Sequence, residues 1–139
     1  MPEYYKSVQE YINNRKGKDL SFLVFSRVRS RISRALSLQG ATPCIKIRDL
    51  LGCTIHEYIE YLQGGFEEEM SWEKYRNGEM QIDHIIPCIA FDLSKSHHQI
   101  ACFNYTNTRM LWRSENLSKR HSHNFTNEEI EKIASGYIK

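Results

Sequence analysis

The sequence predicts an α+β fold, mainly helical with one small hairpin. Three observations predict it: apolar residues recur at helical spacing through the first half of the chain, two capping boxes start helices, and two short β-type runs lie late in the chain. With 139 residues, 40% of them hydrophobic and 26% charged, the chain is long enough to bury a core as one compact domain.

Residues 3–15 alternate aromatic and polar groups at helical spacing and end at Lys16-Gly17-Lys18. Leu20 to Leu38 predicts a second helix. At 100° per residue Phe25, Val28, Ile32 and Leu36 form one stripe, with Phe22 at its margin. Arg27, Arg31 and Arg34 cluster on the opposite side, and Arg29 falls near the stripe, where it snorkels or pairs with an acid. Gly40-Ala-Thr-Pro43 opens a loop into a short helix, Ile45 to Leu51, closed by Gly52.

Thr54-Ile-His-Glu57 is a capping box, after which Ile55, Ile59 and Leu62 share a helix face until Gly64-Gly65. His56 reads as a surface or capping residue. Phe66 to Tyr75 reads as a connection packed by aromatics. Met80, Ile82, Ile85 and Ile86 support a strand over 80–86, which Pro87 ends, and residues 109–112 form a second. Ser94 to Cys102 suits a helical turn or two, and Arg113 to His121 a polar helix. Thr126-Asn-Glu-Glu129 caps a terminal helix with Ile130, Ile133 and Ala134 inward.

The formal charge of +2 is too small to argue for a nucleic-acid partner, but its distribution is uneven. Residues 1–39 hold eight Lys/Arg against three acids, residues 40–82 four against eight, and residues 83–139 seven against six. An arginine-bearing helix face is usually just solvated; three guanidinium groups in a row also suit phosphates. No run approaches the roughly 18 apolar residues of a membrane span, and the start lacks the apolar core of a secretory signal, so a soluble intracellular protein with no membrane partner is expected. Cys44, Cys53, Cys88 and Cys102 form no CxxC pair, which predicts reduced buried thiols and no zinc.

The segment that stands out is Ile82-Asp-His-Ile-Ile-Pro87, an apolar run with two adjacent ionisable groups. On a strand Asp83 and His84 point to opposite faces, so only something at the strand's edge or end touches both. Aspartate offers a hard anionic oxygen to Mg²⁺, and neutral histidine takes a proton from water near pH 7. A dipeptide alone is more often structural: a locally paired Asp and a satisfied His.

From residue 82 the chain reads IDHIIPCIAFDLSKSHHQIACFNYTNTRMLWRSENLSKRH. This resembles the HNH endonucleases of the ββα-metal, or His-Me finger, superfamily, and most of all the small HNH proteins of phages and large DNA viruses. The resemblance covers residues 82–121, and extends through the LLGCT and MSW stretches to about residue 50. It implies a ββα-metal core over residues 80–121, an N-terminal helical region over 1–79 and a C-terminal helix over 122–139.

Residue by residue, it implies Asp83 as metal ligand and His84 as general base. Asn107 would be the middle asparagine that holds the loop between the strands and helps orient the histidine, and Asn116 the last letter of an HNN motif and the second metal ligand. The implied cofactor is one divalent ion, Mg²⁺ with Mn²⁺ as a substitute, and the implied partner is double-stranded DNA. The reaction expected is phosphodiester hydrolysis to 5′-phosphate and 3′-hydroxyl ends, by nicking or, with a homodimer, by double-strand cleavage.

Arg27, Arg31, Arg34, Arg109, Arg113, Lys119 and Arg120 are the expected DNA contacts. A non-cutting DNA-binding module on the same scaffold is the alternative. The sequence departs from many relatives at Thr108-Arg109-Met110, where they have Leu-Gln-Pro, and His97, His98, His121 and His123 have no counterpart in the motif.

Overall fold

In a computed structural model, residues 8–119 and 123–138 are described, with side chains from residue 20 onward. The fold is α+β, mostly helical with a two-stranded antiparallel sheet. In chain order the elements are helices α1 (Val8–Leu38), α2 (Ile47–Leu50), α3 (Ile55–Gly64) and α4 (Trp72–Arg76), strand β1 (Met80–His84), helix α5 (Ser96–Phe103), strand β2 (Thr108–Trp112), and helices α6 (Arg113–Lys119) and α7 (Asn127–Ser135). A 3-10 turn, Cys88–Ala90, follows β1, and another, Tyr105–Asn107, precedes β2.

The expected break at Lys16-Gly17-Lys18 is absent, and α1 runs through it. A glycine inside a helix costs only about 1 kcal/mol against alanine, and no proline removes a backbone donor there. The buried stripe of α1 is Val24, Ile32 and Leu36, with half-buried Val28 between them, an i, i+4 series. Phe25 is only half-buried, and Phe22, expected at the margin, is 75% exposed. Arg29, expected near the stripe, is exposed.

Both capping boxes form: the Thr54 and Thr126 hydroxyls accept from the Glu57 and Glu129 backbone N–H groups, whose side chains reach back to the threonine N–H groups. On α3 the most buried residues are Tyr58 and Leu62, ahead of the expected Ile55 and Ile59, and on α7 Ile130 and Ala134 are buried while Ile133 is 38% exposed. The stretch expected as an aromatic connection contains α4, started by the Ser71 side chain on the Lys74 N–H.

Two apolar clusters share α1. One joins Ile32 and Leu36 to Leu50, Phe91, Leu93, Phe103 and Ile130; the other joins Val24 to Leu51, Tyr58, Leu62, Tyr75, Met80, Ile82 and Met110; Val28 touches both. Gly52 fixes how the α2 end meets the turn before β2. Its φ is +80°, and a Cβ there would come within 2.7 Å of Asn104 Nδ2. The neighbouring Leu51 carbonyl accepts from the Tyr105 N–H at 2.9 Å, so this contact sets where β2 begins.

The buried Tyr58 hydroxyl donates to Thr108 Oγ1 at 2.9 Å, and Thr108 donates in turn to the Tyr105 carbonyl at 2.7 Å. Burial pushes the Tyr58 hydroxyl well above its ordinary pKa, so it remains a donor. Tyr58→Phe is expected to lower the unfolding free energy by about 1 kcal/mol in a denaturant titration; an unchanged midpoint would show that the bond contributes nothing.

Candidate active site at the end of the hairpin

The register pairs Met80 with Trp112, Ile82 with Met110, Asp83 with Arg109 and His84 with Thr108. Alternation therefore puts Met80, Ile82 and His84 on the face turned to α1 and α3, and Gln81 and Asp83 on the other, which α6 covers. The two ionisable residues stand on opposite faces at the last turn of the strand, as the alternation predicts.

The Asp83 side chain is 8% exposed. A carboxylate so buried costs several kcal/mol unless it is paired. Lys119 Nζ lies 2.9 Å from Asp83 Oδ2, and Arg109 Nε 3.3 Å from the same oxygen. The Lys119 ammonium also donates to the carbonyls of His84 at 2.7 Å and Ile85 at 3.2 Å. Three oxygens at the end of β1 thus converge on one cation, which is the protein's own.

Three residues back along α6, Asn116 Nδ2 donates to Gln81 Oε1 at 2.8 Å. The i, i+3 pair Asn116 and Lys119 on the helix therefore meets the i, i+2 pair Gln81 and Asp83 on the strand. With its nitrogen engaged, Asn116 has its carbonyl oxygen to offer a cation. The donor set, a carboxylate, an amide oxygen and main-chain carbonyls, is hard and suits Mg²⁺ better than zinc.

His84 is half-buried, with its ring edge-on to Phe103 at 6.1 Å between centroids. Cys88, half-buried in the turn after Pro87, packs against the apolar cluster that contains Phe103. The sequence reading did not single out this cysteine. Its one signal was position, since residues 84 and 88 flank the strand end and Pro87.

Asn107 is the joint of the loop. Its Oδ1 accepts from the Ile86 N–H at 2.9 Å, and its Nδ2 donates to the carbonyls of Ile86 at 3.1 Å and Cys102 at 2.9 Å. Its own carbonyl accepts from the Ile85 N–H at 2.8 Å. The amide thus ties the chain just past His84 to the end of α5, a task for which its mixed donor and acceptor ends are suited.

The expected DNA contacts are dispersed. Arg27 and Arg31 are engaged by main-chain carbonyls: half-buried Arg27 donates to those of Tyr75 at 2.8 Å and Arg76 at 3.3 Å, and Arg31, which remains exposed, to that of Ile82. The Ile82 carbonyl faces away from β2, so Arg31 caps the unpaired edge of β1. Arg27 also lies over the Tyr75 ring at 4.6 Å. Arg34 and Arg113 are exposed, and Arg109 is half-exposed while paired with Asp83. Arg120 and His121 lie outside the described residues. A groove of about 320 Å³ between α1 and the hairpin is lined by Arg27, Arg31, Tyr75 and Gln81 among others.

His97, His98 and Glu131 bring three donor atoms within 4.8 Å of one another. Their hydrogen bonds favour a structural role. His98 Nδ1 accepts the Asp92 N–H at 3.1 Å, so the ring's proton is on Nε2, which donates to Glu131 Oε2 at 2.6 Å. A ligating histidine has the reverse arrangement, donating from its other nitrogen and keeping the near one bare. The cluster joins α5 to α7. His123, which accepts from the Phe125 N–H at 3.1 Å, is likewise local.

No family model matches the sequence, and no solved structure matches the fold. Two proteins of Acanthamoeba polyphaga mimivirus are similar to it. "Uncharacterized protein L426" is 34% identical over 103 residues, 74% of this chain and 44% of its own length. "Uncharacterized protein L246" is 25% identical over 127 residues, 90% of this chain and 54% of its own length. The chain spans about half the length of these curated relatives. Among the described residues, no helix is long and apolar enough to cross a membrane.

Asn107→Asp is expected to destabilise the protein by about 2 kcal/mol or more at pH 7, since a carboxylate cannot donate to two carbonyls. Thermal melts at pH 7 and pH 4 should show part of the loss regained on protonation; an Asn107→Asp protein as stable as wild type would remove the clamp. Hydrogen bonds from His98, then His97, hold Glu131 below the ordinary carboxylate range. Because the folded value is the lower one, this stabilisation is complete above the ordinary value and lost as pH falls through the folded one. The stability gap between wild type and Glu131→Gln should therefore be full at neutral pH and close in the acid range, and a gap independent of pH would contradict the assignment.

Proposed function

We propose that this protein is a metal-dependent HNH-type DNA endonuclease whose site is a ββα-metal unit formed by β1, β2 and α6. The observation that carries the reading is the convergence of Asp83 and the α6 residues Asn116 and Lys119 on one face of the hairpin end, with His84 on the other. The converging oxygens already hold an ammonium group, which supports their use as a cation site. That both relatives come from a virus agrees with the source that the resemblance implies.

In this reading Asp83 and Asn116 hold one Mg²⁺, which when bound offsets the charge that grows on the phosphate oxygens during hydrolysis. His84, oriented by Phe103 and by the loop that Asn107 clamps, takes the proton of the attacking water. The DNA backbone approaches the strand end, the one place where groups on both faces reach a single phosphate. Lys119, moved off Asp83, is close enough to contact a phosphate oxygen, and Arg109 stands beside it. Products are 5′-phosphate and 3′-hydroxyl ends.

A second reading has one specific observation in its favour: Asp83 is already neutralised by Lys119 and Arg109, as suits a DNA-binding module that does not cut. Supercoiled plasmid separates the two. The nuclease relaxes or linearises it with Mg²⁺ and not with EDTA, and His84→Ala and Asp83→Asn each lower the rate by about 10²-fold or more. Cutting that survives in His84→Ala would sink the role of the base. Plasmid left intact by wild type on varied substrates, with salt-sensitive DNA retention in a mobility-shift gel, would favour the non-cutting module.

A further inference from the structure

Lys119 fills the place at the end of β1 where a bound cation would sit. Its ammonium, on a side chain only 17% exposed, lies 2.9 Å from Asp83 Oδ2 and donates to the carbonyls of His84 at 2.7 Å and Ile85 at 3.2 Å. Neutralising the carboxylate takes only the first of these contacts. The two carbonyl contacts put the ammonium among hard oxygen donors. Arg109, the other cation on Asp83, is 47% exposed and approaches the same oxygen from β2 through Nε at 3.3 Å. Withdrawal of the ammonium would therefore leave Asp83 a counter-charge while opening the space between the three oxygens.

Two cations cannot share that space. Mg²⁺ takes its oxygens at about 2.0–2.1 Å, and an ammonium on the same carboxylate oxygen would repel it strongly, since Asp83 is buried from screening water. The apparent affinity for the ion is then the intrinsic one reduced by the fraction of time that the ammonium is away. Departure requires only side-chain rotation. Lys119 is the last residue of α6 and carries its charge on a flexible four-carbon stem, so it can swing outward while Asn116, three residues earlier, stays on Gln81. Leaving is favoured by another anion, and a phosphodiester beside Asp83 supplies one.

We infer that Lys119 is a built-in competitor for the metal site: it occupies Asp83 and the two carbonyls in the DNA-free protein, and a DNA phosphate draws it off, so that metal and DNA are taken up cooperatively. This competition rests on the function proposed above, in which Asp83 and Asn116 are the metal ligands. By linkage the coupling is reciprocal: DNA raises the affinity for the ion by the factor by which the ion raises the affinity for DNA. A neutral side chain of similar length at position 119 removes both the competition and the coupling. A carboxylate neutralised in the free protein is then compatible with a cutting site, because DNA removes the neutralising group.

The test titrates Mn²⁺ into DNA-free protein at neutral pH and reads the free ion by electron paramagnetic resonance, with binding to Asp83→Asn subtracted to isolate this site. Lys119→Met is expected to bind Mn²⁺ about tenfold or more tightly than wild type. A short DNA duplex, added to protein carrying His84→Ala so that the DNA stays whole, should tighten Mn²⁺ binding about tenfold, and should no longer do so once Lys119→Met is combined with it. Should Lys119→Met fail to fold, wild type alone decides through acetylation by acetic anhydride and peptide mapping: Lys119 should be protected in EDTA and labelled at saturating Mg²⁺. Equal Mn²⁺ affinities in wild type and Lys119→Met would overturn the inference and leave the metal site standing. So would a duplex that leaves Mn²⁺ affinity unchanged, or labelling of Lys119 that ignores Mg²⁺. Wild type and Lys119→Met that both bind Mn²⁺ no better than Asp83→Asn would remove the metal site itself, and the inference with it.

Discussion

The three side-chain hydrogen bonds of Asn107 are the constraint on which the site depends. They close the chain leaving β1 onto the end of α5, and the same residue's carbonyl receives the Ile85 N–H. Without them the backbone ladder would still pair the strands, but within the 23 residues between them the segment leaving β1 would be held to the end of α5 by little more than apolar contact. Apolar contacts resist separation but not sliding, whereas an amide that donates twice and accepts once fixes a geometry. The path of the chain just past His84 follows from that joint.

Around it the hairpin keeps two electrostatic environments apart. On the α6 face a buried carboxylate gathers cations, first Lys119 and then Arg109, because burial without them would cost several kcal/mol. On the α1 face an imidazole stands against the Phe103 ring, and Arg31 caps the open edge of β1 at the Ile82 carbonyl. One strand only five residues long thus carries a buried, cation-paired carboxylate on one side and a half-buried imidazole on the other.

Much of this was legible in the chain. The capping boxes at Thr54 and Thr126 specify helix starts from four residues each, since the bonds they make are local. The alternation that separates Asp83 from His84 is a property of any strand. Less legible were features decided by long-range packing. Val24 rather than Phe25 enters the core because α1 is oriented by α3 and the hairpin, which put Val24 into the cluster that holds Tyr58 and Tyr75. Arg27 and Arg31, which on an isolated helix form a solvent face, are turned to carbonyls about fifty residues away.

The sequence by itself determined the helical majority, the hairpin and the opposed placement of Asp83 and His84, because each depends on periodicity or a cap, whereas the loop-holding place of Asn107 was implied by the HNH resemblance. The tertiary structure alone decided that Lys119 sits on the Asp83 carboxylate, that His97 and His98 meet Glu131, and that Asn116 meets Gln81. Partners 33 to 36 residues apart carry no spacing rule. They meet only where the register of two strands and the docking of α5, α6 and α7 bring their side chains to the same place.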